Sequence, residues 1–418
     1  MHYWKIKLSI FINYFVFAIL LNSVGTVILQ VQNNYGVTQG AAAVLEPFKD
    51  LSIAIVSFLV SSFITKIGYK KSMLIALAFI SIVCFIMPYT HSFLATKLLF
   101  AAIGASFALI KISVYSTIGL VTQSEKQHIS LMNFVESFFM VGILAGYFIF
   151  SYFVNDNDPH STSWLKVYTW LGGFTTVAFL LLLTATLDES KAQHEIQKET
   201  LLQSFIAMLQ LIVSPIVLIF ITCAFFYVLI EQSIMSWLPT FNSQVLKLPT
   251  TLSIEMASIL AGSTAAGRFV AGLLLKKLNW FIILLICLIL AAALVLIAIP
   301  LAKNTDGHII TGWGNAPLAA FVFPLIGLLI APIYPAINSV ILSTLSVEKQ
   351  GVMAGLIIIF SALGGTTGSL ITGNIFQYYG GSAAFYFSLV PITILAICLF
   401  IFRRLQLKYK QSTTLTNL

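Results

Sequence analysis

The chain has 418 residues, 59% of them hydrophobic and only 9% charged; an average soluble domain carries roughly 25% charged residues, and no water-soluble fold could hide this much apolar surface. The net charge of +8 does not point to nucleic acid, because the basic residues sit in short segments between apolar runs, where they bear on membrane orientation. Those runs are continuous and about 20 residues long, as a helix needs to cross a hydrocarbon core of roughly 30 Å, and they lack the alternating polarity of barrel strands.

Breaks of charge, proline and glycine divide the chain into twelve spans near 8–30, 47–66, 72–89, 93–120, 130–154, 164–187, 208–238, 252–275, 279–301, 315–345, 350–376 and 382–403. Span 1 follows Lys5 and Lys7 as a signal peptide would, but it is long enough to cross and shows no small-residue cleavage site. It presents Asn22, Thr26, Gln30 and Asn33 at helical spacing, a polar stripe expected to line a cavity or to pack against a neighbouring helix.

Ionisable groups inside a span are expensive, so each is a functional candidate. Lys111 in span 4 and Glu136 in span 5 lie at similar distances from the loop around Ser124 to His128, which predicts an ion pair facing a central cavity. Such a pair either exchanges partners during transport or simply fixes two helices. In span 7, Glu231 is followed by Gln232, Ser233 and Trp237, a set suited to hydroxyl or amine groups of a solute or, alternatively, to a polar cap with Trp237 in the aromatic belt. Span 10 carries Tyr334 and Asn338, with Pro332 and Pro335 marking a bend. Span 11 is glycine-rich, with Gly364, Gly365, Gly368 and Gly373, which suits close helix packing or a flexing gate.

Four cysteines, Cys84, Cys223, Cys287 and Cys398, stand singly in apolar stretches and read as packing residues, without a disulfide or a metal. No G-x-x-x-x-G-K-[ST], H-E-x-x-H or G-x-S-x-G motif occurs, which argues against a self-contained ATP-driven pump and leaves little case for a membrane enzyme.

Of the 22 Lys and Arg, Lys111 and Arg268 fall within spans; Lys49, Lys97, Lys166, Lys247 and Lys303 fall on the side opposite the N-terminus, and the other fifteen on its own side. That bias places both termini in the cytoplasm, in an inner membrane. The polar stretch Asp188 to Thr200 separates two halves, read as 1–187 and 204–418 with a linker over 188–203. The halves are related. IKISVYSTIGLVTQSEKQ, starting at Ile110, and IYPAINSVILSTLSVEKQ, starting at Ile333, both end in E-K-Q, and the same offset pairs Gly142 with Gly365. Two parallel repeats of six helices make an all-α bundle of twelve transmembrane helices in two pseudo-symmetric halves.

These residues resemble a known superfamily. The loop S61-S-F-I-T-K-I-G-Y-K-K71 is similar to the signature of the major facilitator transporters, with Ser61 in place of a glycine and Thr65 in place of an acid; G267-R-F-V-A-G-L-L-L-K-K277 is its counterpart. More narrowly, N133-F-V-E-S-F-F-M-V-G-I-L-A-G146 and E231-Q-S-I-M-S-W-L-P-T-F241 resemble the fucose:proton symporter family, in its TsgA-like branch. The resemblance implies a secondary transporter, often proton-coupled and often for sugars. The family's sugar symporters carry acids on helices 1 and 4, where this chain has Thr26 and Lys111, leaving Glu136 and Glu231 as the groups to take up protons.

The expected function is transport of a small polar solute, a sugar or similar metabolite, by proton symport through alternating access at a midplane site. Proton-driven efflux and a transport-inactive membrane sensor are the alternatives. The expected partners are the solute, protons and the lipid bilayer, with no nucleic acid and no cofactor, the chain acting as a monomer.

Overall fold

A computed structural model describes residues 4–61, 64–122, 125–189, 210–275, 277–302, 310–344 and 347–416, with 203 and 206. Most of the linker expected over 188–203 and the loop around Lys303 lie outside the described residues, as do the side chains of the two E-K-Q segments apart from Gln127. Among the described residues there is no strand.

Twelve helices answer to the twelve apolar runs: α1 (Trp4–Asn22), α2 (Leu45–Ser61), α3 (Tyr69–Ile86), α4 (Phe93–Val121), α5 (Glu125–Tyr152), α6 (Lys166–Thr184), α7 (Pro215–Met235), α8 (Thr250–Leu274), α9 (Trp280–Ala302), α10 (Ile333–Thr344), α11 (Val347–Tyr379) and α12 (Leu389–Thr416). Among the described residues, ten helical segments are long and apolar enough to cross a membrane by length and composition alone. The remaining two are α2, which at 17 residues is shorter and carries Glu46, Lys49 and Asp50, and α8, which carries Glu255 and Arg268. Helix α1 resumes after Ser23 as Val24–Tyr35 and stops at Gly36, whose φ of +62° is the left-handed conformation that closes a helix C-terminus. Ahead of α10 the span is broken into Leu318–Val322, a 3-10 turn over Phe323–Leu325 and Ile326–Ile330, with a turn at Ala331–Pro332, so the helix is interrupted at Pro324 and Pro332.

The helices form two compact units. One comprises Met1–Leu201 with Pro249–Ser258, and the other Leu202–Leu248 with Ile259–Leu418. In the first, α1 packs on α5, α2 on α4, and α3 on α4 and α6; in the second, α7 packs on α11 and α12. Both units use glycine to bring backbones together. A Cβ on Gly142 of α5 would stand 2.6 Å from the Phe15 carbonyl oxygen of α1. On α11, Cβ atoms at Gly364 and Gly368 would stand 2.3 and 2.4 Å from the carbonyl oxygens of Phe225 and Leu229 on α7. The glycine-rich run is therefore a packing face, the small-residue contact that stands in for hydrophobic pressure between helices in lipid.

Two polar features depart from the sequence reading. Lys49, assigned above to an external segment, lies inside the first turns of α2, buried with Glu46 and Asp50. Its ammonium contacts a Glu46 carboxylate oxygen and stands 3.5 Å from Asp50 Oδ1. A lysine within helical reach of two acids can be buried because they neutralise it. At the start of α3, Gly68 adopts a φ of +95° and the Glu189 carboxylate accepts the backbone N–H groups of Tyr69 and Lys70, each at 2.8 Å. The loop that lacks its acid at Thr65 thus receives a carboxylate from the far end of the same unit.

Candidate functional site

In the first unit the polar groups collect where α4 meets α5. Phe107, Lys111 and Tyr115 follow one another at intervals of four on α4 and so share one face. The Tyr115 hydroxyl donates to Glu136 Oε1 of α5 at 2.7 Å. The Lys111 ammonium lies 5.9 Å from the ring centroids of both Phe107 and Tyr115. Behind them stands an aromatic wall: Tyr14 of α1 meets Tyr115 at 6.3 Å, Phe107 at 6.2 Å and Phe139 at 5.7 Å between centroids. Lys111, Tyr115 and Glu136 are half-buried, whereas Tyr14 is closed off.

The ion pair expected between Lys111 and Glu136 is not formed. Among the described residues, the ion pairs are those of Lys49 with Glu46 and Asp50 and of Arg268 with Glu231. Equal depth does bring the two helices' polar groups together, but the phenol one turn beyond Lys111 takes the carboxylate as a charge-assisted acceptor.

The second unit holds a related arrangement. Tyr227 and Glu231 lie one turn apart on α7, and the phenol donates to Glu231 Oε1 at 2.8 Å. Arg268 of α8 reaches the same oxygen with Nη2 at 3.9 Å. Tyr334 of α10 stacks on Tyr227 with centroids 5.2 Å apart and planes 22° apart, and its hydroxyl is 3.0 Å from Ser361 Oγ of α11. Asn338 follows one turn later, half-buried.

The other candidates are placed differently. Trp237 is fully buried; its Nε1 donates to the Ser369 carbonyl at 3.2 Å, and its ring lies 5.6 Å from Phe376. It therefore ties two helices together, and neither a solute-stacking face nor an aromatic-belt position remains to it. Gln232 Oε1 accepts the Ser236 hydroxyl at 3.3 Å. Of the polar stripe, Asn22 donates to the Ala18 carbonyl of its own helix at 2.9 Å, while Thr26 and Gln30 are buried among helices.

Sequence reasoning missed Tyr115 and Tyr227, and it placed Arg268 within a span without assigning it to a site. The two tyrosines carry a signal in retrospect: each stands four residues from a charged group on the same helix, and so on the same face.

A family model described as the Major Facilitator Superfamily matches residues 8–368. No curated protein matches in sequence. Among solved structures, a bacterial homologue to the human lysosomal transporter Spinster, inward-facing and occupied, is similar at a TM-score of 0.78 with 14% identity, covering 97% of each chain. The nucleoside transporter NupG aligns at a TM-score of 0.71 with 14% identity over 97% of this chain and 99% of its own. The transporter FucP in its outward conformation aligns at 0.61 with 15% identity over 97% and 99%. At these identities the likeness speaks for the fold.

Proposed function

Because the chain belongs to the Major Facilitator Superfamily, and is thus a multi-pass membrane transporter rather than an enzyme, we propose that it carries a small polar solute, a sugar or related metabolite, in symport with protons. The observation that carries this reading is the Tyr115–Glu136 hydrogen bond beside Lys111 inside the membrane-spanning helices. A carboxylate and an ammonium kept half-buried there are costly to hold unless they face a ligand or a water-filled space. Within the second unit, Glu231, Arg268, Tyr227 and Tyr334 group donors and acceptors that suit hydroxylated solutes. The similar structures include a nucleoside transporter and the xylose transporter XylE from E. coli, which supports a hydroxylated cargo. Glu136 and Glu231 are the groups we assign to proton uptake, in a monomer of the inner membrane with both termini cytoplasmic.

The test is uptake into proteoliposomes. A pH gradient, inside alkaline, should drive accumulation of a hydroxylated solute by the wild type, and Glu136→Gln or Glu231→Gln should abolish accumulation while leaving exchange of preloaded solute. Accumulation that ignores both the gradient and these substitutions would refute proton symport; no flux of any solute would refute transport.

A further inference from the structure

Lys111 differs from the other charged groups held within the helices. Lys49 is enclosed by two carboxylates, and Arg268 is engaged by Glu231. The Lys111 ammonium instead has two ring faces for neighbours at 5.9 Å, and among the described residues no carboxylate stands within ion-pairing distance of it. Ring faces hold a cation less firmly than an oxyanion does. Glu136, on the facing helix, makes no ion pair with it, and its Oε1 accepts the Tyr115 hydroxyl. Lys111 is also half-buried. The site therefore holds a cation and an acceptor-bearing carboxylate on facing helices without a direct ion pair between them.

We propose that the solute is a small organic anion whose oxyanion group, carboxylate or phosphate, pairs with Lys111 while a hydroxyl or amine of the same molecule donates to Glu136. This deepens the transport reading above and rests on it. A neutral sugar would leave the ammonium unanswered; a sugar acid, hydroxy acid or sugar phosphate would satisfy both charges at once.

The test compares ligands that differ only in the anionic group, on the purified full chain at constant ionic strength: D-glucuronate against D-glucose, and glycerate and glycerol phosphate each against glycerol. Binding is read by thermal shift and by isothermal titration, and flux by proteoliposome uptake of the same compounds. We expect at least one anion to bind and its neutral counterpart not to, with the glycerate and glycerol phosphate arms separating carboxylate from phosphate. Lys111→Met should weaken that anion's affinity by about tenfold or more, the loss of one charge-assisted hydrogen bond, and Lys111→Arg should restore part of it. Lys111→Gln serves if the Met variant does not fold, and the wild-type comparison stands without either. Equal binding of the neutral partners, an anion affinity untouched at Lys111, or no binding by any anion would overturn the inference. Flux of neutral solutes that is blind to Lys111 would overturn it while leaving transport standing; an absence of all flux would sink transport, with the binding arm still deciding the anion.

Discussion

Glu189 and Gly68 are fitted to one another: a Cβ at Gly68 would stand 2.8 Å from Glu189 Oε2, the carboxylate that caps α3. The glycine is required twice, by its φ of +95° and by the space the carboxylate fills. Gly68→Ala should therefore cost about 1–3 kcal/mol. Glu189→Gln, which keeps one acceptor but removes the charge at a helix N-terminus, should cost only about 0.3–1 kcal/mol. Thermal unfolding of the purified variants checks the order; a harmless Gly68→Ala would mean that the cap does not hold in solution.

Removing the Tyr115 hydroxyl frees the Glu136 oxygen it engages. Tyr115→Phe should let Glu136 turn to Lys111, so that solute binding falls by about tenfold while global stability changes by no more than about 1 kcal/mol. A Lys111→Met background should show no such additional loss, because the competing partner is gone. Titration of the single and double variants distinguishes the two cases.

The buried group in α2 responds to which member is removed. Lys49→Met alone leaves Glu46 and Asp50 uncompensated and should destabilise by about 3–5 kcal/mol. The triple change with Glu46→Gln and Asp50→Asn should recover most of that loss, which unfolding in denaturant can measure. Equal instability of single and triple variants would show that packing, not charge, holds this turn.

Arg268 and Glu231 are partly open, with side chains 36% and 21% exposed at a separation of 3.9 Å. A double-mutant cycle on stability should give a coupling below about 1 kcal/mol. Solute flux should nevertheless fall sharply in Arg268→Ala, so a variant that stays stable and fully active would remove Arg268 from the site.

The twelve crossings were legible because lipid imposes continuous apolar runs of a set length on any helix, and the turn near Pro332 was legible because proline cannot complete the helical hydrogen-bond ladder. The burial of Lys49 was not read because a lysine near the end of an apolar run looks the same whether it borders water or is neutralised from within; Glu46 and Asp50, at helical reach, were the overlooked signal. The meeting of Lys111 with Glu136 was half legible. Depth along antiparallel helices predicts proximity, but the choice between ammonium and phenol depends on side-chain direction, which spacing alone does not encode. Trp237 and Arg268 were opaque for a further reason: their partners, Ser369 and Glu231, lie on other helices and become neighbours only through tertiary packing.

The paired notches at Gly364 and Gly368 also limit how α11 can travel. With two carbonyl oxygens of α7 seated in hollows one turn apart, α11 cannot creep along its neighbour: leaving one seat means advancing a full pitch of about 5.4 Å to the next. The two helices are thus keyed like a shaft and hub, and any rearrangement that shifts one should carry the other with it as a single strut.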